Sequence, residues 1–162
     1  MTARNWGTRT ARPRCGGSVV REQAPSRKVV LVVEDEPAIG RLIADAISDE
    51  PGYSAIYVAG SGAALEATKH VIPDVMVVDV RLPGMSGFEL YDRLQKDPRT
   101  KKVPVLFETA SGPEATTEFQ RRGIATYVRK PFDLNVVVAW VKRLANGASA
   151  GSARGSAQPR RA

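Results

Sequence analysis

The chain has 162 residues, enough for one domain of ordinary size, and a net charge of +7. Its single cysteine, Cys15, excludes an internal disulfide and a metal site built from several cysteines. No apolar run is long enough to cross a membrane, and no apolar segment follows the first arginines as in a secretory signal. We therefore expect a cytoplasmic protein.

The positive charge lies at the two ends of the sequence. Residues 1–27 contain six arginines against one acid, Glu22, and residues 146–162 contain three arginines and no acid. Residues 28–145 contain fifteen basic and sixteen acidic residues, so this segment is close to neutral. We expect disordered basic tails around one domain at 28–145, with weak contact of the tails to nucleic acid as an alternative role.

Five short apolar segments predict β-strands. Residues 29–33 and 75–78 are continuously apolar and rich in β-branched side chains, which is typical of parallel strands covered on both faces. The strands are expected at residues 28–33, 53–59, 74–79, 103–107 and 124–128.

Helical patterns separate these strands. The first helix begins at Pro37, a favoured residue in a first turn, and ends before Pro51. Ser61 is a possible cap of the second helix and Asp133 of the last. The later helices are expected at residues 63–71, 87–94, 113–122 and 134–144.

The alternation of strands and helices predicts an α/β fold, a doubly wound parallel sheet with helices on both faces. Ligands of such sheets bind beyond the carboxyl ends of the strands, where the strand order reverses. Polar residues stand at or just after these ends, namely Glu34, Asp35, Asp79, Thr109 and Lys130.

These residues suit phosphoryl chemistry. Clustered carboxylates repel one another unless a cation or a proton relieves them, and hard oxygen ligands favour Mg²⁺ or Mn²⁺. A carboxylate held beside a divalent metal and a lysine is a plausible nucleophile toward phosphorus, since both cations neutralise charge on the transferring group.

The sequence resembles the receiver domain of response regulators of bacterial two-component signalling, and in particular the single-domain chemotaxis regulators. The resemblance spans residues 28–145 and rests on segments 32–37 (VVEDEP), 79–87 (DVRLPGMSG), 109–110 (TA) and 127–132 (YVRKPF), in that order and at strand ends. It implies a flavodoxin-like (βα)5 fold with strand order 2-1-3-4-5. It also implies a phosphoacceptor, not an enzyme, whose site catalyses only its own phosphorylation and dephosphorylation.

The resemblance implies a role for each residue at the rim. Asp79 is the expected phosphoacceptor. Asp35, Asp79 and the backbone carbonyl of Arg81 are the expected ligands of Mg²⁺ (or Mn²⁺), and Glu34 is expected to act mainly through metal-bound water.

Phosphoryl binding and switching are implied for a second set of residues. Lys130 and Thr109 would bind the phosphoryl group, and Thr109 and Tyr127 would move when it arrives. Arg81 and Ser111, each two residues past a site residue, would tune its lifetime.

Two local features accompany these roles. The resemblance implies a cis Lys130–Pro131 peptide bond. Glu108 places an additional acid directly before Thr109, where the family more often has an apolar residue.

The resemblance also implies partners. A sensor histidine kinase or a phosphotransfer protein would supply the phosphoryl group. We expect the stand-alone receiver to signal by docking a downstream protein through the surface from Pro113 to Lys142, or by phosphorelay, because no dedicated DNA-binding domain follows.

Three alternatives remain at this point. Besides a phosphoacceptor, the chain could be a receiver-fold scaffold that binds partners without phosphorylation, an aspartyl-nucleophile phosphatase, or a nucleotide- or flavin-binding module. The motif of the phosphatase family requires a second Asp two residues after the nucleophile, and in this sequence that position is Arg81. Phosphate binding after the first strand is disfavoured by the acidic run Glu34-Asp35-Glu36.

Overall fold

The structure, a computed structural model, describes residues 26–110 and 112–147. Ser111, Cys15 and nearly all of the two basic tails lie outside the described residues. The predictions made for those parts of the chain therefore remain predictions.

Strands and helices alternate along the described chain. The strands are β1 (Lys28–Val33), β2 (Tyr53–Val58), β3 (Val75–Asp79), β4 (Val105–Thr109) and β5 (Tyr127–Arg129). The helices are α1 (Pro37–Ser48), α2 (Ser61–His70), α3 (Gly87–Leu94), α4 (Pro113–Arg122) and α5 (Leu134–Ala145). All the strand pairs are parallel, and the sheet has the order β2-β1-β3-β4-β5. The predicted fold class and strand order are confirmed.

The sheet separates two apolar layers. On one face, β-branched and aliphatic side chains of β1 and β3 pack against α1 and α5, with Ile43 and Val137 almost fully buried. On the other face, α2, α3 and α4 contribute Ala64, Phe88 and Phe119 to a second cluster. Every residue of β3 is buried, which explains why its first four residues are continuously apolar and do not alternate with polar ones.

Several predicted boundaries are wrong by one to three residues. β4 begins at Val105 and runs to Thr109, because the amide of Val103 closes a turn onto the carbonyl of Thr100. β5 begins at Tyr127, because the amide of Ile124 caps the end of α4 by binding the carbonyl of Phe119. β2 ends at Val58, one residue earlier than predicted.

The predicted cap of α2 is also wrong, whereas that of α5 is confirmed. Gly60 occupies the N-cap of α2, and Ser61 is the first helical residue, so the helix begins two residues before its predicted start. The Ser61 hydroxyl instead donates to the carbonyl of Met85 in the loop after β3, at 2.7 Å. Asp133 caps α5 and accepts a hydrogen bond from the amide of Asn135 at 2.8 Å.

Close packing of α1 on β2 depends on a glycine. A Cβ atom placed on Gly40 would lie 2.3 Å from Cε2 of Tyr57, well inside van der Waals contact. The ring of Tyr57 therefore covers the backbone of α1 directly, and this contact fixes how close the edge strand lies to the helix.

We predict that Gly40→Ala lowers the free energy of unfolding by about 1–3 kcal/mol, because the added methyl group overpacks the contact with Tyr57. Urea denaturation measures the change. Gly62→Ala in α2 is the matched control, since nothing lies within 4 Å of its added Cβ, and alanine there is expected to be neutral or stabilising. Equal stability of the two variants would contradict the packing argument.

Candidate functional site

The carboxyl ends of the central strands form a polar rim. Asp79 is the last residue of β3 and Thr109 the last of β4, while Glu34 and Lys130 directly follow β1 and β5. Since β1 lies between β2 and β3, the strand order reverses beside Glu34 and Asp79. The structure therefore brings together the side chains that the sequence places at these ends.

Three acids of the rim lie close enough to share a metal ion. Glu34, Asp35 and Asp79 each present a carboxylate oxygen, and these oxygens all lie within 4.8 Å of one another. Glu34 and Asp79 are buried, whereas Asp35 is exposed. The group thus has two members fixed by the protein interior and one that faces the solvent.

Lys130 provides the positive charge at the centre of the rim. Its Nζ lies 2.6 Å from Oε2 of Glu34 and 2.6 Å from Oδ2 of Asp79, and it donates a hydrogen bond to each. The side chain of Lys130 is only 19% exposed, so both ion pairs are shielded from water. The peptide bond between Lys130 and Pro131 is cis, as the resemblance implied.

Burial and pairing shift the ionisation of this group. Burial raises the pKa of Glu34 above its ordinary value, and the hydrogen bond from Lys130 opposes this only in part. Burial alone would lower the pKa of Lys130, but its hydrogen bonds to Asp79 and Glu34 prevail, so its pKa is raised. Lys130 therefore remains a cation across the physiological pH range.

Glu108 adds a fourth carboxyl group to the site, next to Asp79 and Lys130. It is 1% exposed and lies beside Asp79 in the register of β3 and β4. Its Oε2 lies 3.6 Å from Nζ of Lys130 and makes no hydrogen bond within the described residues. Burial raises the pKa of Glu108 to about 8, and the charge of Lys130 opposes this shift only in part.

The loop after β3 also contacts Asp79, at the carboxylate oxygen that Lys130 does not bind. The backbone amide of Arg81 donates to Oδ1 of Asp79 at 2.9 Å, while the Arg81 side chain is exposed. A Cβ atom on Gly87 would lie 2.2 Å from the carbonyl oxygen of Asp79, so only glycine fits where α3 begins. Ser86 and Glu89 form a capping box there, a motif visible in the sequence that the sequence analysis missed.

The two expected switch residues lie toward the opposite face of the sheet from the acids. Thr109 is buried, and its carbonyl accepts a hydrogen bond from the amide of Lys130 at 2.8 Å. Tyr127 is half-buried and stacks on Phe119 of α4, with ring centroids 4.4 Å apart and an interplanar angle of 5°.

An ion pair that the sequence analysis missed fastens α4 to α3. The guanidinium of Arg122 donates from Nε and Nη2 to the two carboxylate oxygens of Asp92, at 3.1 Å and 2.9 Å. The same group lies 4.9 Å from the ring centroid of Phe88. Arg122 and Asp92 are 30 positions apart, so only the fold brings them together, and no local sequence pattern predicts the contact.

The fold and this rim define a flavodoxin-like protein whose site combines three acids with a half-buried lysine. Solved structures resemble it. The chemotaxis response regulator CheY4 of Vibrio cholerae has 27% identity and a TM-score of 0.66, over 73% of this chain and 98% of that chain. The receiver domain of the Francisella response regulator 1452 has 25% identity and a TM-score of 0.66, over 74% of this chain and 98% of that chain.

Sequence comparison gives the same class. The response regulator receiver domain matches residues 30–142. Hybrid signal transduction histidine kinase D of Dictyostelium discoideum is 34% identical over 125 residues, which are 76% of this chain and 8% of that protein. The phosphate regulon transcriptional regulatory protein PhoB of Rhizobium meliloti is 34% identical over 119 residues, 71% of this chain and 51% of that protein.

The chain belongs to the response regulator receiver family of two-component signalling. It spans about half the length of the PhoB relatives and a small part of the hybrid kinase. In the part of the chain that the structure describes, every helix is too short or too polar to span a bilayer.

We predict that Glu108→Gln removes a pH dependence of folding stability. Between the ordinary carboxyl value of 4.5 and the raised pKa of about 8, the folded protein keeps a proton on Glu108 that the unfolded chain has lost. The wild-type protein therefore loses stability as the pH rises through this interval, by up to about 1.4 kcal/mol per pH unit. Below and above the interval the contribution of Glu108 is constant.

Urea denaturation from pH 4 to 9, with EDTA present, tests this sign. The stability of Glu108→Gln relative to wild type should increase with pH up to about 8 and then level off. A difference between the two proteins that does not change with pH would contradict the assignment of a buried, protonated Glu108.

Proposed function

We propose that this receiver accepts a phosphoryl group on Asp79 from a sensor histidine kinase or a phosphotransfer protein, in a Mg²⁺-dependent reaction. The observation that supports this best is the position of Asp79, which lies within the three-acid group and 2.6 Å from the ammonium of Lys130. A carboxylate there would meet Lys130 on one side and a bound metal ion on the other, as an acceptor of a dianionic group requires.

The proposed reaction transfers one phosphoryl group between two residues. A carboxylate oxygen of Asp79 attacks the phosphorus atom of a phosphohistidine. The O–P bond of an acyl phosphate forms as the N–P bond breaks, and the imidazole leaves with the bonding electron pair. The ammonium of Lys130, already beside Oδ2 of Asp79, stabilises the charge on the phosphoryl oxygens.

The residues of the rim fit a hard divalent cation. Three carboxylates whose oxygens lie within 4.8 Å of one another suit Mg²⁺ or Mn²⁺. Asp35, Asp79 and the backbone carbonyl of Arg81 would hold the ion directly, and Glu34 would hold it through water. When bound, the cation supplies charge neutralisation at the phosphoryl group.

Thr109 and Tyr127 are the proposed link to the output. Thr109 would donate a hydrogen bond to the phosphoryl group and vacate space for Tyr127, whose ring now stacks on Phe119. Arg81, exposed beside Asp79, and Ser111 would set how long the phosphoryl group survives.

A downstream protein would dock on the surface from Pro113 to Lys142. Phe119 is the buried one among the described side chains of α4, and an element with few buried side chains shifts at low energetic cost. We propose this docking, or phosphorelay, as the route by which the signal leaves the domain.

A scaffold that works without phosphorylation is the second candidate. Lys130 already satisfies Asp79 and Glu34 in the structure, so the fold requires no phosphoryl group. A phosphatase is disfavoured, because Arg81 stands where a second catalytic Asp is needed.

We predict that incubation with acetyl phosphate and Mg²⁺ adds the mass of one phosphoryl group to the wild-type protein and none to Asp79→Asn, as read by intact mass. The addition should be lost in EDTA, because the acids of the rim need a cation to admit a phosphoryl group. Glu36→Gln is the matched control, an exposed acid of the same loop outside the three-acid group, and it should be phosphorylated like wild type.

No mass gain in wild-type protein shown to be folded by circular dichroism would favour the scaffold. Equal gain in Asp79→Asn would place the acceptor elsewhere.

We also predict that phosphorylation changes amide hydrogen exchange within residues 113–142, because α4 and β5 form the element that Thr109 and Tyr127 would move. Exchange measured by mass spectrometry, with and without acetyl phosphate, should differ there and be unchanged in α1. Identical protection of residues 113–142 in both samples would contradict the proposed output surface.

A further inference from the structure

Among the described residues, Lys130 donates hydrogen bonds to two side chains, and Oε2 of Glu108 has no donor. A lysine ammonium carries three N–H donors. Glu34 and Asp79 accept from it at 2.6 Å each. Oε2 of Glu108, 1% exposed and without a hydrogen bond among the described residues, lies 3.6 Å from the same nitrogen atom.

The sheet holds Glu108 on the same face as the site. Side chains two residues apart on a strand point to the same side. Leu106 and Val77 belong to the apolar cluster on the α1 and α5 face, so Glu108 and Asp79 extend from that face side by side. Glu108 is not one of the three acids that could share a metal ion, so it remains available to Lys130.

We propose that Glu108 is a positioning residue for Lys130, and that its carboxyl group becomes the acceptor that aims the ammonium at the phosphoryl group. The inference rests on the proposed phosphorylation of Asp79. Once Asp79 carries a phosphoryl group, its carboxylate no longer holds Lys130, and Glu34 is directed toward the metal. A buried acceptor on the remaining side then keeps the ammonium over the site and prevents it from turning to the solvent.

The proposal predicts a difference between an apolar and a polar replacement. Glu108→Val removes the acceptor, whereas Glu108→Gln keeps a carbonyl oxygen that can accept from Lys130. With Mg²⁺, Glu108→Val should bind beryllofluoride, a phosphoryl analogue, at least about ten-fold more weakly than wild type, as expected for a lost hydrogen bond to a charged group. Glu108→Gln should stay within about two-fold of wild type, and ¹⁹F NMR gives both affinities.

Two controls separate positioning from a change in folding. Leu106→Val opens a cavity on the same strand and face without removing a partner of Lys130, and it should bind beryllofluoride like wild type. In a Lys130→Met background the difference between the Val and Gln variants should disappear. Persistence of that difference, or binding by Glu108→Val as tight as wild type, would overturn the proposal.

A second readout does not depend on phosphorylation. In the metal-free protein Oε2 of Glu108 already lies 3.6 Å from Nζ of Lys130, so NMR relaxation of the Lys130 ammonium group should show greater mobility in Glu108→Val than in Glu108→Gln or wild type. Equal mobility in all three proteins rejects the role of Glu108, whether or not Asp79 accepts a phosphoryl group. If wild type fails to bind beryllofluoride while the mobilities differ as expected, the proposed function fails and the positioning contact stands.

Discussion

The arrangement of the site depends on one half-buried ammonium group, that of Lys130. Glu34, Asp79 and Glu108 are only 2%, 7% and 1% exposed, and carboxyl groups so placed can ionise together only if a cation lies among them. Lys130 lies within 3.6 Å of all three. Its removal would leave these carboxyl groups to be relieved by protons or by a metal ion alone, because a buried charge without a partner is strongly unfavourable.

The sheet brings Lys130 to these acids from far along the chain. Lys130 follows Glu34 by 96 residues and Asp79 by 51 residues, so the contacts require the completed order of strands. The edge strand β5 is short, and the amide of Lys130 is fixed by the carbonyl of Thr109 at 2.8 Å. The lysine is therefore positioned both by its backbone and by its ion pairs.

Alternation of apolar strands and amphipathic helices sufficed to predict a parallel sheet with helices on both faces and the convergence of Glu34, Asp79 and Lys130, whereas the strand order came from the family resemblance. Parallel strands bring their carboxyl ends to one edge, whatever the side-chain details. The boundaries of β4 and β5 were less predictable, because Glu108 and Thr109 are polar but buried, and Ile124 is apolar but caps a helix. Long-range contacts such as Arg122 with Asp92 carry no local signal, so only the packed structure reveals them.

The position of β4 explains how chemistry on one face of the sheet can reach helices on the other. Glu108 and Thr109 are neighbours in sequence, so their side chains extend to opposite faces. Glu108 lies beside Asp79 and Lys130, whereas Thr109 lies on the side of the aromatic cluster in which Phe107 and Phe119 pack together. In the proposed function, a change of charge at Asp79 alters the hydrogen bonds at the end of a strand whose other face touches α4. No long chain of intermediate residues is required, because the signal crosses the thickness of one strand.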